Sequence, residues 1–551
     1  MFFKKGQRWD LETDLLVIGS GGAGLTGAIV AHDRGAKVLV LEKSGKVGGT
    51  TAVSGGVLWI PNNHHMPEVD IDDSREDALT YMKRLSDGRS DEALIEAYID
   101  TAPQMIRYLE DKTPLQFSSL KRYPDYHPEF EGGRPGGRSL DPGLFNTHEL
   151  GEWADRLRRS PVFGPVPMTV GEATDWGVFS KPLSLPYAKL AQRYKDGLVC
   201  YGGALMGPLL AACLERGIEP RLETPAHSLV VEDGRVLGAE AESPGGSLRI
   251  KARKGVLLAS GGFEWNKEIC AAFLGGPLTH PNSPPFNDGD GLKMAMGVGA
   301  KLANMNEAWW CPSVVIPGEE YEQRQLNRGD FAIRSMPHSI MVNRKGQRFV
   351  NEAHNYNDMA KAFSVFDPVD YERTNLPCWL VFDQNYLEKY ALITVVPGMP
   401  APEWISTAPT LEALADQLGI DPVGLKGSVE RFNQFARDGV DQDFRRGESL
   451  YDHFYGDPEH QPNPNLGVIE KGPFFALEVH PGAIGTKGGP VVNSNAQVLN
   501  ISNEVVEGLY AAGNVMAGIT GPGYPGAGST IGTAMTWGYI AGLHLTQSGS
   551  D

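Results

Sequence analysis

Asp14-Leu15-Leu16-Val17-Ile18 is a short apolar run that stops at glycine, a pattern that predicts a buried parallel strand. Leu25 to Asp33 follows with a helical pattern, and Arg34-Gly35-Ala36 closes it. Lys37-Val38-Leu39-Val40-Leu41 is the next apolar run, and Glu42 comes directly after it. These three pieces read as one βαβ unit whose second strand ends on an acid. Helical patterns recur from Ser90 to Lys112 and from Gly203 to Arg216. Ala226 to Val231 and Val236 to Ala239 flank Glu232-Asp233-Gly234-Arg235, which predicts a hairpin. Lys254 to Gly262 is another apolar strand that ends in glycine.

Between these elements the texture changes. Tyr123 to Pro186 is rich in glycine, proline and aromatics and has little periodicity. A loop region this long is expected to cover a site. Trp309 to Pro481 mixes aromatics, prolines and polar loops without a second dinucleotide signature. Strand, glycine turn and helix return after Gly485. Neither repeats nor low-complexity tracts interrupt the chain.

With 551 residues the chain is too long for one hydrophobic core. A net charge of −18 without a basic block argues against nucleic acid as a partner and against attraction to an anionic membrane surface. Met1 to Asp10 lacks the apolar core of a signal peptide, and no run reaches the roughly 20 apolar residues of a membrane span. The cysteines Cys200, Cys213, Cys270, Cys311 and Cys378 form no CxxC pair, so they read as reduced core thiols of a cytoplasmic protein. His64, His65, His127, His338, His354, His453, His460 and His480 are scattered without HExxH spacing, and no metal is expected.

The glycines after the first strand have separate tasks. Gly19 permits the tight turn, Gly21 lets backbone approach a pyrophosphate, and Gly24 lets helix and strand pack closely. The phosphates then meet the positive start of the helix, near Gly22 and Ala23. Glu42 lies about 20 residues past the glycines, where a carboxylate accepts from ribose hydroxyls and disfavours a 2′-phosphate. This element alone leaves NAD open. FAD is favoured by Lys43 and by Gly48 to Gly56, which is too glycine-rich for a packing helix and offers many N–H groups. Its candidate contacts are Gly49, Thr50, Thr51, Ser54, Gly55 and Gly56. Ser260 and Gly261, Asp290, Gly513 and Asn514, and Thr530 and Ile531 complete the cofactor set.

The strand end at Leu258 to Gly262 and the segment Gly508 to Asn514 resemble the fumarate reductase and succinate dehydrogenase flavoprotein superfamily. Within it the chain resembles the 3-ketosteroid Δ1-dehydrogenase family nearly end to end. The carriers are Gly49 to Asn63 with its Trp59-Ile60-Pro61-Asn62-Asn63, Asp125-Tyr126-His127-Pro128-Glu129, Arg348-Phe349-Val350-Asn351-Glu352, Pro481 to Gly489, and Tyr524-Pro525-Gly526-Ala527-Gly528. The resemblance implies an α/β protein. A Rossmann-like FAD-binding domain, discontinuous in sequence (1–310 and 484–551), would carry an inserted α+β catalytic domain (311–483). Fumarate-reducing relatives carry an arginine-containing turn near the last helix; Tyr524 to Gly528 stands there instead and suits a neutral ketone.

What the family does then becomes the expectation. Non-covalent FAD would serve a steroid dehydrogenase of lipid breakdown that introduces a C1–C2 double bond into ring A of 3-oxo-Δ4 steroids. Tyr524 and the Gly528 N–H would polarise the C3 ketone, Tyr356 would take the C2 proton with Tyr126 in support, and flavin N5 would accept the C1 hydride. Tyr123 lies close enough to Tyr126 in sequence to serve instead. Phe331 is a candidate wall of the ring pocket, against a role in the domain core. A quinone is the implied electron acceptor. The segment from Tyr126 to Gly197, with Arg156-Leu157-Arg158-Arg159, is left as a lid, an oligomer contact or a peripheral membrane touch. Other readings stay open: desaturation at C4–C5, a smaller cyclic ketone, enoate reduction, or a flavin-binding scaffold without activity.

Overall fold

The computed structural model describes residues 8–163 and 166–547. Met1 to Gln7, within the stretch read as lacking a signal peptide, lie outside the described residues, as do two residues of the Tyr126–Gly197 segment.

Strand β1 (Leu11–Ile18) leads into helix α1 (Gly22–Asp33) and strand β2 (Val38–Leu41), the expected βαβ unit. Leu15, Leu16 and Val17 of β1 are fully buried, as a strand covered on both faces requires. Each such side chain contributes about 1.5–3 kcal/mol. A five-residue helix, α2 (Gly49–Val53), comes next. Gly48 to Gly56 was expected to be too glycine-rich for this. Gly48 and Gly49 both take positive φ and turn the chain into it, and Ala52 and Val53 then bury. Helices α3 (Glu92–Lys112) and α4 (Tyr201–Glu215) match the two helical patterns. The predicted hairpin is β3 (Ala226–Glu232) with β4 (Arg235–Ser243), which continues into β5 (Gly246–Leu258).

Strands β6 (Ser339–Asn343), β7 (Cys378–Asp383), β8 (Ser406–Ala408) and β9 (Phe474–Val479) form an antiparallel sheet in the order β6-β7-β9-β8. Helix α5 (Tyr356–Ala360) falls between β6 and β7, and α6 (Leu411–Leu418) and α7 (Pro422–Asp438) between β8 and β9. Leu414, Leu425, Val429 and Phe432 of α6 and α7 share a buried cluster with Ile340 and Val381 of the sheet. Strands β10 (Gln497–Leu499) and β11 (Val505–Ala511) then return to the first sheet, whose order is β2-β1-β5-β11-β10.

Helix α8 (Ser529–Gln547) closes against α1. Glycines set the separation. A Cβ on Gly538 would stand 2.2 Å from the Ala23 carbonyl oxygen, and one on Gly542 would stand 2.8 Å from that of Gly27. All five cysteines are free and buried. No helix among the described residues is long and apolar enough to cross a membrane.

Candidate active site

The C-terminal ends of β1, β2, β5 and β11 open onto one cavity of about 910 Å³. At its floor, Gly19 takes φ +110° and sits so close to β5 that a Cβ would stand 2.3 Å from the Ala259 oxygen. Gly21 caps α1 without a side-chain bond; the Gly22 N–H donates to the Thr51 hydroxyl at 3.2 Å, and the helix-start N–H groups beyond it remain for an anion. A Cβ there would meet nothing nearer than 3.8 Å, so the open space belongs to a ligand. Gly24 differs: its Cβ would stand 2.1 Å from the Gly19 oxygen. It packs helix against strand, the task the motif assigns it, and unlike the other glycines of the turn it does not line the cavity.

The remaining cofactor candidates, Gly19, Gly21, Gly22, Ala23, Glu42, Lys43, Gly49, Thr50, Thr51, Ser54, Gly55, Gly56, Ser260, Gly261, Asp290, Gly513, Asn514, Thr530 and Ile531, all line the cavity. Glu42 is buried and already held, by the Ser20 hydroxyl at 2.6 Å and the Ser44 hydroxyl at 2.8 Å. Lys43 pairs with Asp290 at 2.8 Å and Asp288 at 3.1 Å. Burial disfavours the Lys43 ammonium, yet these two carboxylates hold its pKa above the ordinary lysine value. Ser260 Oγ is buried without a partner among the described residues and faces Gly291, where a Cβ would stand 2.3 Å from it.

The other end of the cavity is built from aromatic side chains. The Tyr126 hydroxyl donates to the Tyr356 hydroxyl at 2.7 Å. The Tyr126 ring stacks on Tyr524 with centroids 4.9 Å apart, and Tyr356 meets Tyr524 edge-on at 5.5 Å. Phe331 packs edge-on against Tyr356 at 5.0 Å and lines the cavity. Tyr123, the alternative to Tyr126, instead bonds the Tyr455 hydroxyl at 2.6 Å. Gly528 takes φ +93°, and a Cβ would stand 2.2 Å from the Val57 oxygen. Its N–H has no hydrogen-bond partner among the described residues. Burial pushes the phenols of Tyr126, Tyr356 and Tyr524 upward, while the Tyr126 hydrogen bond draws Tyr356 back.

The motifs around these tyrosines act as anchors. Asp125 accepts from the Trp59 indole N–H at 2.7 Å and from Arg138 at 2.7 Å. Arg348 bonds both Glu352 at 2.7 Å and Asp441 at 2.9 Å, all buried, which fixes the chain entering Tyr356. Residues with no sequence signal also take part. Tyr451 packs on Tyr126 at 4.9 Å, and Trp309 packs on Tyr524 at 4.8 Å. The arginines of the lining, Arg122, Arg158 and Arg328, pair with Asp175, Glu322 and Glu319. In space the histidines are less scattered than along the chain. His64 and His65 share Glu110, while His127 and His354 gather at Asp358, each set bound together by its own hydrogen bonds and ion pairs.

The outer wall comes from the loop-rich segment. Val162, Phe163, Met168, Trp176, Phe179 and Leu185 line the mouth, as the expectation that this region covers a site requires. An N–H-lined groove thus runs into an apolar chamber that ends in phenols.

The fold and this glycine floor define an FAD flavoprotein: the FAD binding domain family matches residues 14–531. The chain is 39% identical to a 3-oxosteroid 1-dehydrogenase of Mycobacterium tuberculosis over 97% of its length and 98% of that protein's. It is 41% identical to a 4-oxocyclohexanecarboxylate 2-dehydrogenase of Sinomonas cyclohexanicum over 96% of its length and 92% of the relative's. The crystal structure of a 3-ketosteroid Δ1-dehydrogenase from Sterolibacterium denitrificans, in complex with 1,4-androstadiene-3,17-dione, superposes with a TM-score of 0.92 at 39% identity, covering 98% of this chain and all of that one. The chain belongs to the 3-ketosteroid Δ1-dehydrogenase family of FAD-dependent oxidoreductases.

Proposed function

We propose that the protein removes hydrogen from C1 and C2 in ring A of 3-oxo-Δ4 steroids. The observation that carries this reading is the convergence of Tyr126, Tyr356, Tyr524 and the unpaired Gly528 N–H at the blind end of an apolar chamber. Its volume and apolar lining suit a fused-ring body with one oxygen at its tip.

The Tyr524 hydroxyl and the Gly528 N–H hold the C3 ketone oxygen. Their bonds strengthen as negative charge grows there, which acidifies the C2 proton. Tyr356 takes that proton. Its ordinary pKa is about 10 and burial raises it, so the base form needs help. Tyr126 gives that help by donating to the Tyr356 oxygen and favouring its phenolate. FAD, held without a covalent bond along the glycine-lined groove, supplies the two-electron acceptor for the hydrogen leaving C1. The glycine turn, Lys43 with Asp290, and Ser260 would hold that cofactor. A quinone-class acceptor then takes the electrons.

In this reading residues 311–483 form the catalytic unit and 1–310 with 484–551 the FAD-binding unit. Tyr356 comes from the first, Tyr126 and Tyr524 from the second. The protein works in the cytoplasm and touches a membrane only at the mouth segment, where Leu183, Tyr187 and Tyr194 are exposed beside Lys181, Lys189 and Lys195.

A second reading, desaturation of a smaller cyclic ketone, is favoured by the Sinomonas relative, which is as similar as the steroid enzymes. The two separate in one assay. Purified yellow protein is incubated with androst-4-ene-3,17-dione, a saturated 5α-steroid or 4-oxocyclohexanecarboxylate and an artificial acceptor, and the products are identified. A 1,4-diene from the steroid is expected. Turnover of the cyclohexanone alone would replace the first reading by the second, and oxidation of a saturated 5α-steroid at C4–C5 would replace both.

A further inference from the structure

One carboxylate links all three tyrosine segments, the third through Lys361 and Asn357. Asp358 lies on α5, two residues after Tyr356. Its Oδ2 bonds His127 Nε2 at 2.7 Å, and His127 directly follows Tyr126. Its Oδ1 bonds Lys361 Nζ at 2.8 Å, and the same ammonium donates to the Pro522 carbonyl at 2.8 Å, two residues before Tyr524. Asn357 Nδ2 joins the same two oxygens, Asp358 Oδ1 at 2.9 Å and Pro522 O at 3.2 Å. We propose that Asp358 is the positioning residue of the active site, the hub that sets the proton-accepting, supporting and ketone-holding tyrosines in one geometry. The inference rests on the roles given to those tyrosines above.

The hub has little slack. Tyr126 N–H is tied to the Pro525 carbonyl at 2.9 Å, and the Tyr81 hydroxyl reaches the same carbonyl at 2.7 Å. Lys487 Nζ, fully buried, grips Gly521 and Gly523 from behind at 3.1 and 2.7 Å. The turn carrying Tyr524 is thus held at the carbonyls of residues 521, 522, 523 and 525, and Lys361 with Asn357 ties one of those holds to the segment that carries Tyr356. A shift of about 1 Å between reacting groups costs on the order of 10²-fold in rate, so a part that fixes three of them at once matters to turnover.

Charge keeps the hub closed. Burial opposes ionisation of Asp358, but His127 and Lys361 outweigh it and hold the carboxyl well below its usual range. Burial likewise opposes a charged His127, but Asp358 and Glu129 raise its pKa to about 9. The other charged groups facing the hub are His354 and Lys487, and Asp452 faces His354. The raised His127 value stabilises the fold fully below the ordinary 6.5, and that contribution is lost as pH rises through about 9.

The test uses the flavin-loaded protein and four variants. His127→Gln disturbs the Tyr126 side and is expected to lower kcat about tenfold with little change in KM. Lys361→Met disturbs the Tyr524 side and is expected to weaken binding of 1,4-androstadiene-3,17-dione, read from the flavin absorbance, about tenfold. Asp358→Asn is expected to do both, with kcat down on the order of 10²-fold, and to remove the His127 share of the pH dependence of Tm between 6.5 and about 9, read as the difference from wild type. Asp358→Glu, which keeps the charge, should recover part of the rate. If Asp358→Asn does not fold, the split between the other two decides. Wild-type kcat and steroid affinity in both His127→Gln and Lys361→Met, or in Asp358→Asn, would overturn the inference. Tyr356→Phe runs alongside: if it keeps full turnover, the underlying reading has failed instead.

Discussion

The two ends of the cavity recognise their ligands by opposite means. At the floor the protein offers backbone, with Gly21 and the start of α1 facing the cavity and almost no side chain. At the blind end it offers side chains, with Tyr126, Tyr356 and Tyr524 in mutual contact. The glycine turn of the floor is local, made by Gly19 to Ala23 directly after one strand. The blind end joins positions 126, 356 and 524, which meet only in the finished fold. A backbone site tolerates no added atom, whereas a side-chain site tolerates shape-preserving changes and fails by losing a single hydroxyl.

That contrast can be broken most sharply at Tyr356. Tyr356→Phe keeps the ring packing and removes the oxygen, so turnover should fall about 10³-fold while bound flavin and Tm stay near wild type. Steady-state rates normalised to flavin absorbance check this; a near-normal rate would move the base elsewhere. Burial raises the phenol, so wild-type turnover should also climb as pH rises toward the ordinary phenol range. Tyr524→Phe is next. A loss of about 10²-fold in kcat/KM is expected, with weaker steroid binding, because its bond to the ketone tightens in the transition state. Unchanged kinetics would reduce Tyr524 to packing.

The floor responds in another currency. Gly21→Val should leave the apo-protein folded but unable to hold FAD, since only a ligand occupies that space. Gly24→Ala should destabilise the fold by about 1–3 kcal/mol, because its methyl meets the Gly19 oxygen. Flavin content and thermal melts on both variants tell a cradle from a packing contact. Lys487 is read through pH rather than through flavin content. Burial and the nearby Lys361 lower its pKa to about 7 against 10.5 when unfolded, so this group adds a rise in stability with pH between those values, offset up to about pH 9 by the loss at His127. Lys487→Met should flatten that rise in Tm, and a variant with the wild-type slope would assign the rise to another group.

Much of the floor was legible in the sequence because its causes are local. A glycine that must take positive φ or touch a neighbouring carbonyl leaves its mark at that position, and the run from Gly19 to Gly24 carries both kinds. Even so, one letter has two meanings there, and only coordinates separate Gly21, which faces a ligand, from Gly24, which faces protein. Gly48 to Gly56 misled for the same reason, since glycines that signal open backbone also start a helical turn. At the blind end, periodicity and spacing pointed to none of the tyrosines. Resemblance supplied Tyr356, Tyr524 and Tyr126; in the structure the Tyr126 hydroxyl reaches Tyr356, while that of Tyr123 bonds Tyr455. Tyr451, Trp309 and Asp358 had no local signature, because what distinguishes them is a neighbour hundreds of positions away.

The glycine seam between α1 and α8 sets an order of events for the nascent protein. Arg34, just past α1, bonds Thr546 near the end of α8, 512 positions downstream. The helix that receives the phosphates emerges early from the ribosome, yet its packing partner is made only after everything between them. Until then the crossover has an open flank, and Thr530 and Ile531 have not arrived to wall the cofactor. Flavin capture is therefore a late step of synthesis, and a shortened or stalled chain should emerge colourless.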